Sequence, residues 1–367
     1  MGLRELLDTY QGKKVLVTGH TGFKGSWLSI WLAAIGARTV GVALDPKHAE
    51  DNFRVAGVSE LLESDYREDI RDLDRLKAIF EHEQPQVVFH LAAQPLVLDG
   101  YHDPVYTYET NIMGTVNVLE ACRESTSVQA GVFITTDKCY DNKEWVYPYR
   151  ENDSMGGYDP YSASKGAAEL VIDSYRNAFL RAQKKAIASV RAGNVIGGGD
   201  WSANRIVVDL VKAIESERSL EVRSPAAVRP WQHVLEPLSG YLLLGAKMMH
   251  HEGAYDEAWN FGPYLQNILP VSELVDHFLK RFGKGSWKDV SDPSRPHEAK
   301  LLMLDISKAI YQLGWKPVLS FQETVALTVD WYAGFRNRPA LDICRDQIDQ
   351  YLHLWESRNE VFQEMYG

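Results

Sequence analysis

The chain has 367 residues, 45% of them hydrophobic and 24% charged, enough for one large or two smaller globular units with a sizeable core. Its formal net charge of −11 comes with no offsetting basic stripe. This argues against nucleic acid or an anionic membrane as partner, and leaves an anionic substrate to be held by a few local arginines. Cys122, Cys139 and Cys344 are an odd number without C-x-x-C spacing, which argues against a disulfide framework or a zinc site and suits a reducing cytoplasm.

The segment Met1–Asp8 is too charged for a signal-peptide core, and Leu6 breaks the myristoylation pattern. No run approaches the length of a membrane span. Lys14 to Thr18 predicts a strand. It feeds Gly19-His20-Thr21-Gly22-Phe23-Lys24-Gly25, three glycines at G-x-x-G-x-x-G spacing. A helix follows, with Phe23, Trp27, Ile30, Trp31 and Ala34 at helical spacing and Gly36 as its stop. Strand, glycine turn and helix in that order make a dinucleotide pyrophosphate site. Glycine lets the backbone approach the phosphates, and the helix start presents free N–H groups. The next strand-like run, Arg38 to Leu44, ends in Asp45, twenty residues beyond Gly25. An acid there accepts hydrogen bonds from the adenosine ribose hydroxyls and repels the extra phosphate of NADP, so NAD is the expected cofactor. His20 is bulky for a phosphate turn, and reads either as a neutral filler or as a group that loosens cofactor binding.

A polar, helix-prone segment to about Glu63 is expected to cover the adenosine. Asp69-Ile70 reads either as the acid and apolar pair that holds an adenine edge and face, or as an ordinary loop. Arg75 to Glu83 reads as a helix stopped by Pro85, and Gln86 to Leu91 as a strand buried on both faces. Ala92-Ala93-Gln94-Pro95 ends that strand with small side chains where an open α/β sheet binds ligands. Tyr106 to Arg123 is a long helical pattern. Within it Asn111 is either buried and bonded near the active site or a solvated helix residue. The strand Gly131 to Ile134 ends in Thr135-Thr136-Asp137-Lys138-Cys139-Tyr140, a set costly in a core and useful in a site. After an aromatic loop closing at Asp159-Pro160, Tyr161 opens a helix to about Gln183. Tyr161 and Lys165 lie at i and i+4 on one face. The lysine charge, with a nicotinamide charge, can draw the phenol pKa toward neutrality and make Tyr161 a general base or acid.

Ala186 to Arg191 is another strand, followed by Asn194 and the loop Gly197-Gly198-Gly199-Asp200-Trp201. Regular alternation ends near residue 190. The expected fold is α/β: a Rossmann-type doubly wound parallel sheet over residues 1–190 and a smaller mixed α/β carboxyl-terminal substrate domain over 191–367, with some later segments returning to the sheet. Arg229 and Arg295 each stand beside prolines. They suit a diphosphate as fixed forked cations, or are solvated surface residues. Leu313 to Pro317 reads as a helix stop, Phe321 to Tyr332 as a helix and the tail from Arg336 as a terminal helix. His250-His251-Glu252 lacks ligand spacing, so no metal is expected.

Together these residues resemble the extended short-chain dehydrogenase/reductase family over nearly the whole chain. The carriers are Gly19-x-x-Gly22-x-x-Gly25, His90-Leu91-Ala92-Ala93-Gln94, Asn111-x-x-Gly114-Thr115, Thr136, Tyr161-x-x-x-Lys165, and Asp305-x-Ser307-Lys308 to Leu313-Gly314-Trp315. The segments Thr18–Gly25, Thr135–Tyr140 and Gly197–Trp201 are similar to those of its nucleotide-sugar 4,6-dehydratases. That resemblance, rather than composition or spacing, implies CDP-glucose as substrate and a closed redox cycle on bound NAD. It implies that Tyr161 takes the proton of the sugar 4-hydroxyl and that Thr136 bonds the 4-oxygen. Lys165 would hold the nicotinamide ribose, and Asp137 would be the acid at the C6 hydroxyl. Related dTDP-sugar dehydratases carry Asp-Glu where this chain has Asp137-Lys138. A free lysine keeps its proton to about pH 10.4. Lys138 therefore reads either as a base with a lowered pKa or as a group polarising the C4 oxygen while another takes the C5 proton.

The resemblance further implies cofactor contacts at Gly19, Gly22, Phe23, Gly25, Asp45, Asp69, Ile70, Leu91, Ala92, Ala93, Tyr161 and Lys165. It implies substrate contacts at Gln94, Thr136, Asn194, Arg205, Arg229 and Arg295. Arg229-Pro230-Trp231 stands where relatives often have Arg-Asp-Trp. A homodimer is implied through a four-helix bundle of Tyr106–Arg123 and Tyr161–Gln183, with higher homo-oligomers left open, and a deoxysugar route such as lipopolysaccharide O-antigen synthesis. A UDP-hexose 4-epimerase would share Thr136, Tyr161 and Lys165 without needing Asp137-Lys138. A non-catalytic NAD-sensing protein would need neither Tyr161 nor Lys165.

Overall fold

A computed structural model describes residues 1–251, 253–292 and 301–366, with side chains described as far as Arg358. Seven strands make one sheet: β1 (Lys14–Thr18), β2 (Arg38–Val42), β3 (Ser64–Tyr66), β4 (Val87–His90), β5 (Ala130–Ile134), β6 (Ala186–Ala192) and an edge strand, Ala258–Phe261. The order is edge strand–β6–β5–β4–β1–β2–β3, and every pairing is parallel. Thr18 pairs with Val42 on one side and His90 on the other, so the winding reverses at β1. The crevice outside the carboxyl ends of β1 and β4 is thus the switch point where such sheets take ligands.

The strands are apolar on both faces because both are covered. Leu16, Val40, Val88, Phe133 and Ile187 pack with Leu76, Phe80 and Leu119 on one side. Val15, Val17, Phe89, Val132 and Val190 pack with Trp27, Trp31, Leu242 and Tyr241 on the other. Parallel strands sandwiched in this way read as continuous hydrophobic runs. The three cysteines are buried and unpaired.

Several elements differ from the sequence pattern. The helix at Leu73–Glu83 starts before Arg75, because the Asp72 carboxylate accepts the Arg75 N–H at 3.0 Å and caps it. The helix-prone segment before Glu63 holds only the short turns Asn52–Val55 and Val58–Leu61, with Phe53 and Val58 in the core. The long pattern at 106–123 is Pro104–Tyr108, a π turn at Glu109–Met113 and Gly114–Glu124. The helix carrying Tyr161 runs Pro160–Tyr175, then widens into a π turn at Arg176–Leu180. Asp159 caps it by accepting the Ser162 N–H at 3.0 Å. Phe321–Gly334 opens on a Ser320–Glu323 capping box, and the tail is the helix Ala340–Tyr366.

Beyond β6, on both sides of the edge strand in the chain, short pairings join Val195–Ile196 to Gln232–His233, Val228–Pro230 to Ile268–Pro270, and Leu220–Val222 to Trp287–Asp289. Among the described residues no helix is long and apolar enough to cross a membrane.

Candidate active site

The glycine turn after β1 is a cradle that side chains would fill. Gly19 has φ +73° and its carbonyl accepts the Gly22 N–H at 3.0 Å. A Cβ on Gly19 would stand 2.6 Å from the Ala92 nitrogen, and one on Gly25 only 2.1 Å from the Gly19 oxygen. The helix Phe23–Ala34 starts at Gly22 with no side chain capping its first N–H groups, which leaves them for an anion. Leu91, Ala92 and Ala93 form the opposite wall, where the Thr18 carbonyl and hydroxyl accept the Leu91 and Ala92 N–H groups at 3.1 and 3.2 Å. These residues fit a dinucleotide diphosphate.

His20 does not enter the cradle. Its ring is buried over Gly41, edge-on to Phe53, with Nε2 2.8 Å from Asp65 Oδ1. The missing Cβ of Gly41 makes the room: one placed there would meet the ring at 2.5 Å. The imidazole is a packed filler, and its bulk lies under the turn.

Asp45 stands at the end of β2 with its side chain 79% exposed. With Phe53, Arg54 and Arg67 it lines a cavity of about 310 Å³. Arg67 Nε is 3.6 Å from Asp45, while its Nη2 bonds Asp65 at 2.7 Å and its guanidinium lies over Phe53. The acid expected to meet a ribose is therefore flanked by two arginines that local sequence did not associate with it. Asp69 accepts from the Arg71 backbone and guanidinium, and Ile70 fills the space over Gly114.

Gln94 departs from expectation. Its amide donates to the Leu96 carbonyl at 3.0 Å and the Thr107 hydroxyl at 2.9 Å, and accepts the Leu96 N–H at 2.6 Å. It braces the loop. Asn111 is buried: it donates to Ser164 Oγ at 2.9 Å and the Gln94 carbonyl at 3.0 Å, and accepts the Gln94 N–H at 2.8 Å. It thereby ties the β4 loop to the Tyr161 helix.

The end of β5 meets that helix. Thr136 donates to Asp137 Oδ1 at 3.0 Å, accepts the Lys138 N–H at 3.3 Å and lies in hydrogen-bonding reach of Tyr161. Burial pushes the Tyr161 phenol up to about 12, against the Thr136 hydrogen bond and the Arg205 charge. Lys165 Nζ donates at 3.2 Å to the Ile134 carbonyl. Burial lowers Lys165 to about 8, with Glu169 opposing. Burial raises the Asp137 carboxyl, opposed by the charges of Lys138, Lys24 and Arg229 and by the Thr136 bond. Lys138 is exposed.

Gly193 and Pro230 close on Asp137: a Cβ on Gly193 would be 3.0 Å from both Asp137 Oδ2 and Pro230 Cγ. Arg229, next to Pro230, bears on Asp137 through its charge, and Asn194 follows Gly193 in the chain. Arg229 Nη1 donates to the Val228 carbonyl at 2.9 Å. Arg205 is exposed ahead of the helix Ile206–Glu215. Arg295 lies outside the described residues. His250 is at a helix end, 2.8 Å from Thr9 Oγ1, and Glu252 is outside the described residues.

Sequence reasoning missed Lys24 and Asp200. Lys24 is lowered to about 8 by burial and then by Arg205, and feels Asp137, Lys165 and Asp200. A lysine inside a glycine cradle was the available signal. The triple-glycine loop brings Asp200 close: Trp27 Nε1 donates to the Gly198 carbonyl at 2.9 Å, and a Cβ on Gly197 would stand 3.1 Å from Phe23.

Residues 16–328 match the family model described as GDP-mannose 4,6 dehydratase. The chain belongs to that family. It lies within the extended short-chain dehydrogenases/reductases, as its motifs imply. Among curated members of the family, it is 46% identical over 350 residues to CDP-glucose 4,6-dehydratase of Salmonella typhimurium, covering 94% of this chain and 97% of the relative. It is 31% identical to dTDP-D-glucose 4,6-dehydratase of Dictyostelium discoideum, over 89% of this chain and 82% of that one. A solved dTDP-glucose 4,6-dehydratase of Streptomyces venezuelae with NAD bound superposes at a TM-score of 0.75, with 25% identity, over 89% of this chain and 98% of that one.

Proposed function

We propose that this family member converts CDP-D-glucose to CDP-4-keto-6-deoxy-D-glucose, a nucleotide-sugar 4,6-dehydratase reaction. The observation that carries the reading is Thr136, Asp137, Lys138 and Tyr161 gathered at one strand end beside the glycine cradle. The 46% identity to a CDP-glucose 4,6-dehydratase supports the base and the sugar. Gly19, Gly22, Phe23, Gly25 and the Leu91–Ala93 wall would hold NAD, which would supply a hydride acceptor for C4 and a hydride donor for C6.

Tyr161 takes the proton of the sugar 4-hydroxyl while Thr136 bonds the 4-oxygen. Lys165 holds the nicotinamide ribose and completes the positive field at the phenol. The resulting 4-ketone acidifies the C5 proton. Asp137, whose carboxyl burial raises above the ordinary carboxylate range, gives its proton to the departing C6 hydroxyl. Lys138 faces the same space, as the base at C5 or as the cation that stabilises the enolate at O4. Asn194, Arg205 and Arg229 hold the diphosphate. Asp137 and Lys138 favour elimination over 4-epimerisation, which needs neither. Tyr161 and Lys165 together disfavour a non-catalytic NAD sensor.

Residues 1–190 with the returning strand Ala258–Phe261 act as the cofactor domain, and most of 191–367 as the substrate domain. The exposed apolar side chains Tyr108, Met113, Leu170 and Phe179 lie on the helices expected to dimerise and support a homodimer through a four-helix bundle. A cytoplasmic place in a deoxysugar route fits the reaction. The test is mass spectrometry of CDP-glucose incubated with protein and NAD in heavy water. Loss of one water with deuterium at C5 is expected, and an unchanged sugar mass would overturn the reading.

A further inference from the structure

Glu169 is 4% exposed and stands one helical turn beyond Lys165, on the face that carries Tyr161. Ser189 Oγ donates to its Oε2 at 2.7 Å and Arg191 Nη2 to the same oxygen at 2.8 Å. The Thr135 hydroxyl donates to Oε1. Arg191 Nη1 continues the network to the Tyr140 hydroxyl at 2.6 Å and the Glu151 carbonyl at 2.9 Å, and Tyr140 donates to Asn260 Oδ1 at 2.8 Å. One carboxylate thus joins the catalytic helix to β5, β6 and, through Arg191, the edge strand. Thr135 directly precedes Thr136. A buried ion pair is weak as a stability device, since well-packed apolar residues of like volume serve as well. The arrangement therefore calls for a different reason.

We propose that Glu169 is a positioning residue: it keeps Lys165 in its charged form and holds Thr135–Lys138 in register with Tyr161. This rests on the reading of Lys165 as the ribose anchor. Glu169 is the carboxylate nearest Lys165 along the helix, and it opposes the desolvation of the ammonium. The other groups facing Lys165 do not supply a negative charge. The Cys139 thiol is held protonated by burial, His90 is held neutral by burial, and Lys24 is a cation. Tyr161, on the same helix face, is pushed up by burial and stays protonated.

The test is the pH dependence of NADH binding, followed by fluorescence in a Lys24→Met/Tyr161→Phe background, which leaves Lys165 to titrate at the ribose. Binding in this parent is expected to weaken as pH rises through about 8, where Lys165 loses its proton. Glu169→Gln should move that limb down by about half a pH unit or more, so that NADH binds at least roughly twofold more weakly at pH 8 and roughly threefold more weakly at pH 9. Glu169→Asp should restore the limb. Glu169→Gln/Arg191→Met should move it less than Glu169→Gln, because no lone guanidinium remains. That double variant also carries the test if the single one fails to fold. A limb that stays in place in all three variants, whatever their overall affinity, overturns the proposal. A parent that binds no NADH, or binds it without a limb, overturns the ribose-anchor reading as well.

Discussion

Gly25→Ala tests the cradle directly. The new Cβ would lie 2.1 Å from the Gly19 oxygen and 2.7 Å from His20 Cα. Non-bonded carbon contacts settle near 3.5 Å, so the overlap is roughly 1.4 Å. The Gly19 carbonyl cannot yield cheaply, because it already accepts the Gly22 N–H at 3.0 Å and shapes the turn. The start of the helix Phe23–Ala34 must back away by about an ångström. Overpacking of this kind costs about 1–3 kcal/mol, which a chain of this size tolerates with a lowered Tm. Binding suffers more, since the phosphate-facing N–H groups ride on the displaced turn. An ångström of misplacement is worth on the order of 100-fold. NADH titration by fluorescence, with a thermal melt of the same sample, should show an affinity loss of about that size in a folded protein. A folded Gly25→Ala binding NADH within about threefold of the parent would refute the cradle as the diphosphate site.

Tyr161→Phe should lower turnover by about 10²–10⁴-fold while leaving NADH affinity within a few-fold, since it removes only the proton acceptor. Equal losses in both would point to structural damage instead. Lys138→Met should allow C4 oxidation but stop deuterium uptake at C5, read by mass spectrometry in heavy water; full elimination would sink both roles given to Lys138. Glu236 predicts a pH effect on stability. It is 2% exposed, accepts the Val318, Leu319 and Tyr351 donors, and is pushed by burial from 4.5 up to about 7. The folded chain then holds a proton that the unfolded chain has lost. Its contribution is full below pH 4.5 and falls as pH rises through 7, a swing of about 3 kcal/mol. Denaturation of parent and Glu236→Gln at pH 5 and 8 should show that swing in the parent alone. A flat parent would mean that the three donors hold the carboxylate charged.

Features set by neighbours along the chain are legible in the sequence. Gly19, Gly22 and Gly25 specify a turn that only glycine can make, and the apolar runs of β1, β4 and β5 specify buried parallel strands. The spacing of Tyr161 and Lys165 fixes a shared helix face whatever surrounds it. Asp137 and Lys138 stand out because a polar cluster at a strand end has few structural uses. Distant partners are not legible. The edge strand Ala258–Phe261 reaches β6 across more than sixty residues. Gln94 is consumed by Leu96 and Thr107, the two arginines beside Asp45 come from separate turns, and Asp200 reaches Lys24 through a glycine loop. The pair Glu169–Arg191 joins a helix to a strand. Backbone conformation and side-chain period are local consequences of residue type, so sequence by itself determined the turn, the strands and the Tyr–Lys face. Which charges share a buried space depends on how the chain packs, and burial raises the carboxyls of Asp137 and Glu236 and lowers Lys165, so tertiary structure alone decided those.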